Sequence, residues 1–235
     1  MYISSTLHQT ILFGIPQGNT VRLFAILLLF CQLAWGLGVN VVITNLTRGI
    51  TFAPLLIVVH AQTNQLFKVG QKSSYEMQIM AEKGDISELV LRTGNSAQFH
   101  SNPANGMLGA GKSTGGSIRY IKESNTHLSI VGMMLPTNDA FVGLGSVKIP
   151  TEVGTYVYYA KAYDAGTEAN DELASSISNF ATGRDGTGLN VATEGFIHIH
   201  RGVVGDTNAH GGISDLDSMR HRWLNPVARV EVVVY

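Results

Sequence analysis

The sequence predicts an all-β fold, an antiparallel β-sandwich with one short helical insertion, and three observations carry that prediction. Segments rich in Val, Ile, Thr and aromatic residues recur at short spacing, each bounded by turn residues. The 26 glycines supply many of the turns between them. Hydrophobic residues make up 45% of the 235 residues and charged residues only 14%, which is ample material for one sandwich core. No internal repeat, low-complexity tract or linker divides the chain, so residues 39–235 are expected to form a single domain.

The first segment reads as an export signal. Residues 1–20 carry no formal charge, and Arg22 then precedes the apolar run LFAILLLFCQLAW at 23–35. A run of about 13 residues is short for a membrane span and suits a signal-peptide core. Ala34 and Gly36 sit at −3 and −1 of a cleavage before Leu37, with cleavage after Gly38 as the alternative. Residues 1–36 are therefore expected to be a signal peptide with an extended n-region, touching a membrane only if uncleaved. Cys31, the single cysteine, lies inside it, so the mature chain would have no disulfide, thiol nucleophile or thiolate metal site. Losing Arg22 from 16 basic residues leaves 15 against 17 acidic, a formal charge of −2. A bound metal is then a candidate staple for an exported domain without disulfides.

Residues 39–46 (VNVVITNL) and 55–60 read as the first two strands, both β-branched and bounded by turn residues. Residues 73–81 read as a helix, with Ser73 and Glu76 as a capping box and Gly84 as the stop. Asp85 and Glu88 repeat the start signal for a short second helix through Leu91. The Gly, Asn and Ser-rich stretch 93–116 reads as loop. Strands are then expected at 117–122, 127–135, 145–149, 155–162, 195–200 and 227–234, with a long polar excursion at 164–193.

Net charge is −1 and no Lys/Arg run occurs, which argues against a nucleic-acid partner. Residues 106–113, GMLGAGKS, match the phosphate-loop string GxxxxGK[ST]. That chemistry needs a buried strand entering the loop and a helix leaving it with its amides on the phosphates. Here a turn sequence, HSNPAN, enters, and TGGSIRYI leaves, whose glycines and β-branched residues oppose a helix. A Gly-rich turn before a strand is the better reading, and no nucleotide is expected.

Two loops concentrate oxygen donors. One follows strand 127–135 and reads PTNDAFVG from Pro136; the other follows strand 155–162 and reads YDAGTEANDE from Tyr163. Calcium takes six to eight oxygens in irregular geometry, and loops at one end of a sandwich can supply them. Each carboxylate taken singly is equally an ordinary turn former.

At these residues the chain resembles the spondin domain of F-spondin, mindin and many exported bacterial proteins. LPTNDAFVG followed by YDAGTEAND is similar to stretches that in the animal members read like PSPDWFVG and DAGTDSG. EGFIHIHRG at 194–202 and NPVARVEV at 225–232 resemble the bacterial branch. The resemblance implies a C2-like β-sandwich holding a calcium ion, with Asp139 and Asp164 at the family's two loop aspartates. Glu168 falls where the animal members have an Asp. A third family ligand is a Glu on the strand leading into the first loop; direct spacing puts Tyr120 there, and Glu123 only with a gap.

His198 and His200 are two apart on an expected strand and so share a face, with Glu194, Asp206, His210 and His221 near in sequence. A His pair with a third His or carboxylate builds a zinc site, and with an open position a hydrolytic one. No helical HExxH and no GxSxG elbow is present. The sequence therefore predicts no enzyme but a secreted, calcium-binding adhesion or recognition module for an extracellular protein or glycan. A zinc hydrolase using His198, His200 and His210 is the alternative. Asp139→Asn or Asp164→Asn is expected to weaken calcium binding, with little change in chelator.

Overall fold

A computed structural model describes residues 36–94, 96–178, 193–208 and 212–235. The expected signal segment before Gly36 lies outside the described residues. Among those described, no helix is long and apolar enough to cross a membrane. Among the described residues, ten strands and two short helices follow in order: β1 Val39–Asn45, β2 Thr51–Phe52, β3 Leu56–His60, α1 Tyr75–Lys83, α2 Ser87–Thr93, β4 Gln98–Ser101, β5 Ser113–Ile118, β6 His127–Leu135, β7 Ala140–Lys148, β8 Gly154–Asp164, β9 His198–Ile199 and β10 Ala228–Val234.

The all-β class is as expected. The strands join antiparallel in the order β4-β3-β6-β7-β8-β10-β1-β5, with β2 against β6 and β9 against β8. The sheet curls until its two ends approach one another. The Gln98 amide of β4 donates to the carbonyls of Arg119 and Tyr120 just past β5, at 3.3 and 3.1 Å, and its oxygen accepts from the Lys122 amide at 2.8 Å. The result lies between a sandwich and a closed barrel, in which few backbone edges stay open.

Burial explains why some strands alternate and others do not. β1 and β10 bury every second residue, Val39, Val41 and Ile43 against Val230, Val232 and Val234, and turn the other face to water. β3 is buried throughout because it is covered on both faces. Ile57 and Val59 join the main core, while Leu56 and Val58 pack against Met77, Met80 and Leu89 of the helices. The helical insertion is therefore a second layer on one part of the sheet.

The helix expected over 73–81 forms two residues later, as Tyr75–Lys83. Ser74, not Ser73, caps it, its hydroxyl accepting from the Met77 amide at 3.4 Å, and Gly84 ends it in the left-handed conformation at φ 67°. Ser73 instead donates its hydroxyl to the Ala165 carbonyl at 2.9 Å, tying the insertion to the loop after β8.

The phosphate-loop string has the context expected of a turn. Ser113 opens β5, and a side chain at Gly115 would meet the Val41 carbonyl oxygen at 2.4 Å. That glycine is required by close strand packing. Four expectations are corrected. The stretch 93–116 contains β4 and the start of β5; the strand predicted at 117–122 is displaced to Ser113–Ile118; the strand predicted at 145–149 begins at Ala140; and that predicted at 195–200 pairs only at His198–Ile199.

Candidate functional site

The β6–β7 hairpin turns through only Pro136, Thr137, Asn138 and Asp139, and the last three are buried. A buried turn must satisfy its polar groups within the protein. The Thr137 hydroxyl donates to the Met134 carbonyl. The Asn138 amide donates to Asp171 Oδ1 at 2.9 Å and Ser176 Oγ at 3.2 Å, and its oxygen accepts from the Glu172 amide at 3.3 Å. The loop after β8 thus closes over the hairpin and removes it from water.

Strand register brings the two acidic loops together. Ala140 of β7 pairs with Asp164 of β8, so Asp139 lies one residue from the last rung, and the Ala165 amide donates to the Asp139 carbonyl at 3.2 Å. Asp139 is fully buried and Asp164 and Glu168 are 1% exposed. Asp139 Oδ2 accepts from the Thr167 amide at 2.7 Å, the Thr167 hydroxyl at 3.2 Å and the Glu168 amide at 3.1 Å. Asp139 Oδ1 is equally buried and has no hydrogen-bond partner among the described residues. Asp164 Oδ1 accepts from the Gly166 amide and Oδ2 from Asn170 Nδ2, both at 2.7 Å. Gly166 sits at φ 68°, and a Cβ there would meet the Phe196 carbonyl oxygen at 2.4 Å, so the amide that serves Asp164 depends on glycine.

The electrostatics are those of two carboxylates sharing a dry site. Burial, reinforced by the charge of Asp164, pushes the Asp139 carboxyl up to about 7. Burial also raises Asp164, opposed by its hydrogen bonds from Asn170 and Gly166 and by His198.

The histidine segment arrives at the same place. β9 pairs with the end of β8, Asp164 opposite His198, which puts His198 Nδ1 3.7 Å from Asp164 Oδ1 and His200 Nε2 3.9 Å from Asp164 Oδ2. Burial pushes the His200 imidazole down to about 4, so it is neutral at pH 7. Its Nδ1 accepts from the Gly202 amide at 3.0 Å, which leaves the proton on Nε2, facing Asp164. His200 Nε2 faces the carboxylate beyond hydrogen-bond distance, and the ring lies tilted against Trp223, with ring centroids 5.0 Å apart.

Other sequence candidates fall elsewhere. Tyr120 and Glu123 follow the end of β5, whose Ile118 connects through Val39 and Val234 to Gly154 at the start of β8. Asp164 ends that strand, about 33 Å further along at the usual rise. Neither candidate for the third family ligand therefore reaches the site, and Tyr120 is 74% exposed. His221 lines a separate cavity with Pro136, Asp215 and Leu216, and its Nδ1 accepts from the Asp217 amide at 3.0 Å. Asp206 accepts from the amides of Asn208, Ile213 and Ser214 and organises its own loop. His210 lies outside the described residues.

Asn138, Asn170 and Glu172 carry the site's framework although none stood out in the sequence. Glu172 takes amides from Val204 and Gly205 at 2.6 and 2.8 Å and the Ser214 hydroxyl at 2.7 Å, fastening these three residues beside the loop.

The donors fit a hard cation. Asp139, Asp164 and Glu168 offer carboxylate oxygens on one loop pair, and Asp139 Oδ1 is a buried acceptor with nothing to accept. Among the described residues, the ligand atoms that converge within 4.8 Å are those of Asp164, Glu194 and His198.

The Spondin_N family model matches residues 45–185, more than half of the chain and all three of these acidic residues. No curated protein matches the chain.

Proposed function

The chain belongs to the spondin N-terminal domain family, and on that premise we propose that it is an extracellular recognition or adhesion module whose loop end is set by a calcium ion. In this reading the protein binds another macromolecule, a surface protein or glycan, and performs no chemistry on it. Asp139 and Asp164 are the principal calcium ligands and Glu168 contributes from the same loop.

One observation carries the calcium reading: the buried, unpartnered Oδ1 of Asp139 beside the equally buried Asp164. Two adjacent carboxylates out of water repel and lose solvation, and a divalent cation offsets both costs at once. The cation would also fix the β6–β7 turn against residues 164–172, which gives the sandwich end one shape to present. Export through the segment before Leu37 is part of the same proposal, since extracellular calcium concentrations suit such a site. The zinc-hydrolase alternative loses support at His200, whose Nδ1 is engaged by Gly202 and whose Nε2 carries the proton.

Calorimetric titration of the mature chain with calcium tests the proposal. The wild type is expected to bind one ion, and Asp139→Asn, which preserves shape and the bonds from Thr167 and Glu168, to weaken it at least about tenfold, the scale of losing charge at a metal site. Equal calcium affinity in the variant would remove Asp139 from the ligand set.

A further inference from the structure

We propose a second metal site, for a zinc-class transition ion, built from Asp164, Glu194 and His198. Each of these residues offers one ligand atom, and the three atoms lie within 4.8 Å of one another; an ion at about 2.0–2.2 Å from each spans at most about 4.4 Å, so the half-exposed His198 and exposed Glu194 side chains close slightly on it. The family match ends at residue 185, so two of the three ligands lie beyond it.

The chemistry of the set differs from that of the calcium loops. An imidazole with two carboxylates is a nitrogen and oxygen donor set that suits zinc or its neighbours, whereas calcium selects oxygen alone. An independent feature is the space in front of these groups. A cavity of about 60 Å³ is lined by Asp164, Glu194 and His198 together with Asn170, Glu172 and His200. That is room for an ion and one water, given about 30 Å³ per water.

The surroundings are arranged to hold this geometry. β9 fixes His198 opposite Asp164 by strand register, and Asn170 and Gly166 orient the Asp164 carboxylate from behind. His200 Nε2 lies 3.9 Å from Asp164 Oδ2, beside that ligand and outside the metal's coordination sphere. Arg201, exposed on the rim, is the one opposing charge among the lining residues. Three protein ligands leave coordination positions facing the solvent, so the ion is placed to take a donor from a partner molecule.

Asp164 is shared with the proposed calcium site, but the inference does not rest on calcium being there. The mature protein, held in saturating calcium, is titrated with zinc calorimetrically and with cobalt(II) by visible absorption. One transition ion is expected per chain, with cobalt d–d bands of a nitrogen and oxygen environment. His198→Gln and Glu194→Gln are each expected to lower zinc affinity at least about tenfold while leaving calcium affinity within twofold. Asp139→Asn is expected to lose calcium and keep zinc. Both ligand variants alter side chains at least partly exposed to solvent, and their melting temperatures in chelator check that they fold. A wild type without zinc heat or cobalt bands, or a His198→Gln variant that binds zinc as tightly as the wild type, overturns the proposal.

Discussion

Phe141→Ala is expected to cost about 3–5 kcal/mol of stability, the range for emptying a buried aromatic position. Phe141 is fully buried on β7, edge-on to Phe67 with centroids at 5.1 Å and stacked on Tyr163 at 5.5 Å. It belongs to the smaller core cluster that joins the helices to the sheet, with Leu56, Val131, Met77 and Met80. The expectation has a functional arm as well. Phe141 pairs with Tyr163, two residues after Asp139 on one strand and one before Asp164 on the other. Weakening that rung loosens the alignment of the two acidic loops, so calcium affinity falls together with stability. Urea unfolding measures the first effect and calcium titration the second. Tyr159→Ala, on the 56% exposed position of β8, serves as control and is expected to change stability by under about 0.5 kcal/mol. A Phe141→Ala cost below about 1 kcal/mol would contradict the packing described for this cluster.

The second large effect is on the pH dependence of the metal-free protein. The Asp139 carboxyl is held up to about 7, by burial first and the Asp164 charge second. In the unfolded chain the same group ionises near the ordinary carboxylate range, about 4. The unfolded state therefore releases its proton first as pH rises. Folding stability falls between about pH 4 and pH 7 and levels off above, by a few kcal/mol at about 1.4 per pH unit. His200 works in the opposite sense: its folded value of about 4 lies below the unfolded one, so its contribution is present above about pH 6.5 and is lost as pH falls.

Comparison with Asp139→Asn separates the two, because the His200 contribution is common to both proteins. In EDTA the variant and the wild type are expected to melt alike near pH 4, and the variant higher at pH 7 to 8. In saturating calcium the order reverses, since the cation favours the ionised carboxylate. Sequence alone predicts little change in chelator; the burial of Asp139 beside Asp164 replaces that with a stabilising effect at neutral pH. A wild type and variant that keep a constant difference across this range would show that Asp139 is not the buried, repelled carboxylate described.

Most of the strand framework was legible because its residues alternate or are β-branched throughout. β1, β3, β6 and β10 fall within a residue or so of their expected places. β4 was not legible. Its sequence, QFHS, is a half-exposed edge with one apolar residue, and its pairing with β3 is set by the layer beneath. The start of β7 was hidden by its turn. Asn138 and Asp139 read as loop formers, yet the loop is four residues long and Ala140, Phe141 and Val142 are fully buried strand.

The candidate site was half legible. Asp139, Asp164 and Glu168 were picked out through oxygen-rich loops and family resemblance, and all three are buried. The histidines stood out as a separate group, because HxH spacing says which face they share and nothing about what that face meets. Only the pairing of β9 with the end of β8 puts His198 and His200 on Asp164, a contact across more than 30 residues of chain. For the same reason Tyr120 and Glu123 looked adjacent to the first acidic loop in sequence and lie at the other end of the sheet. The roles of Asn138 and Glu172 depend on hydrogen bonds between loops, which no local pattern encodes.

Thermal unfolding of the wild-type chain from residue 39, in EDTA and then in increasing calcium at pH 7.5, tests the central claim most directly. A ligand that binds only the folded state raises stability with concentration, by about 2.7 kcal/mol at a hundredfold excess over its Kd. The proposed calcium site at Asp139 and Asp164 predicts a melting temperature that climbs steadily with calcium and is unmoved by magnesium at the same concentrations. A melting temperature indifferent to calcium would contradict it, and would leave the buried carboxylate pair without a cation.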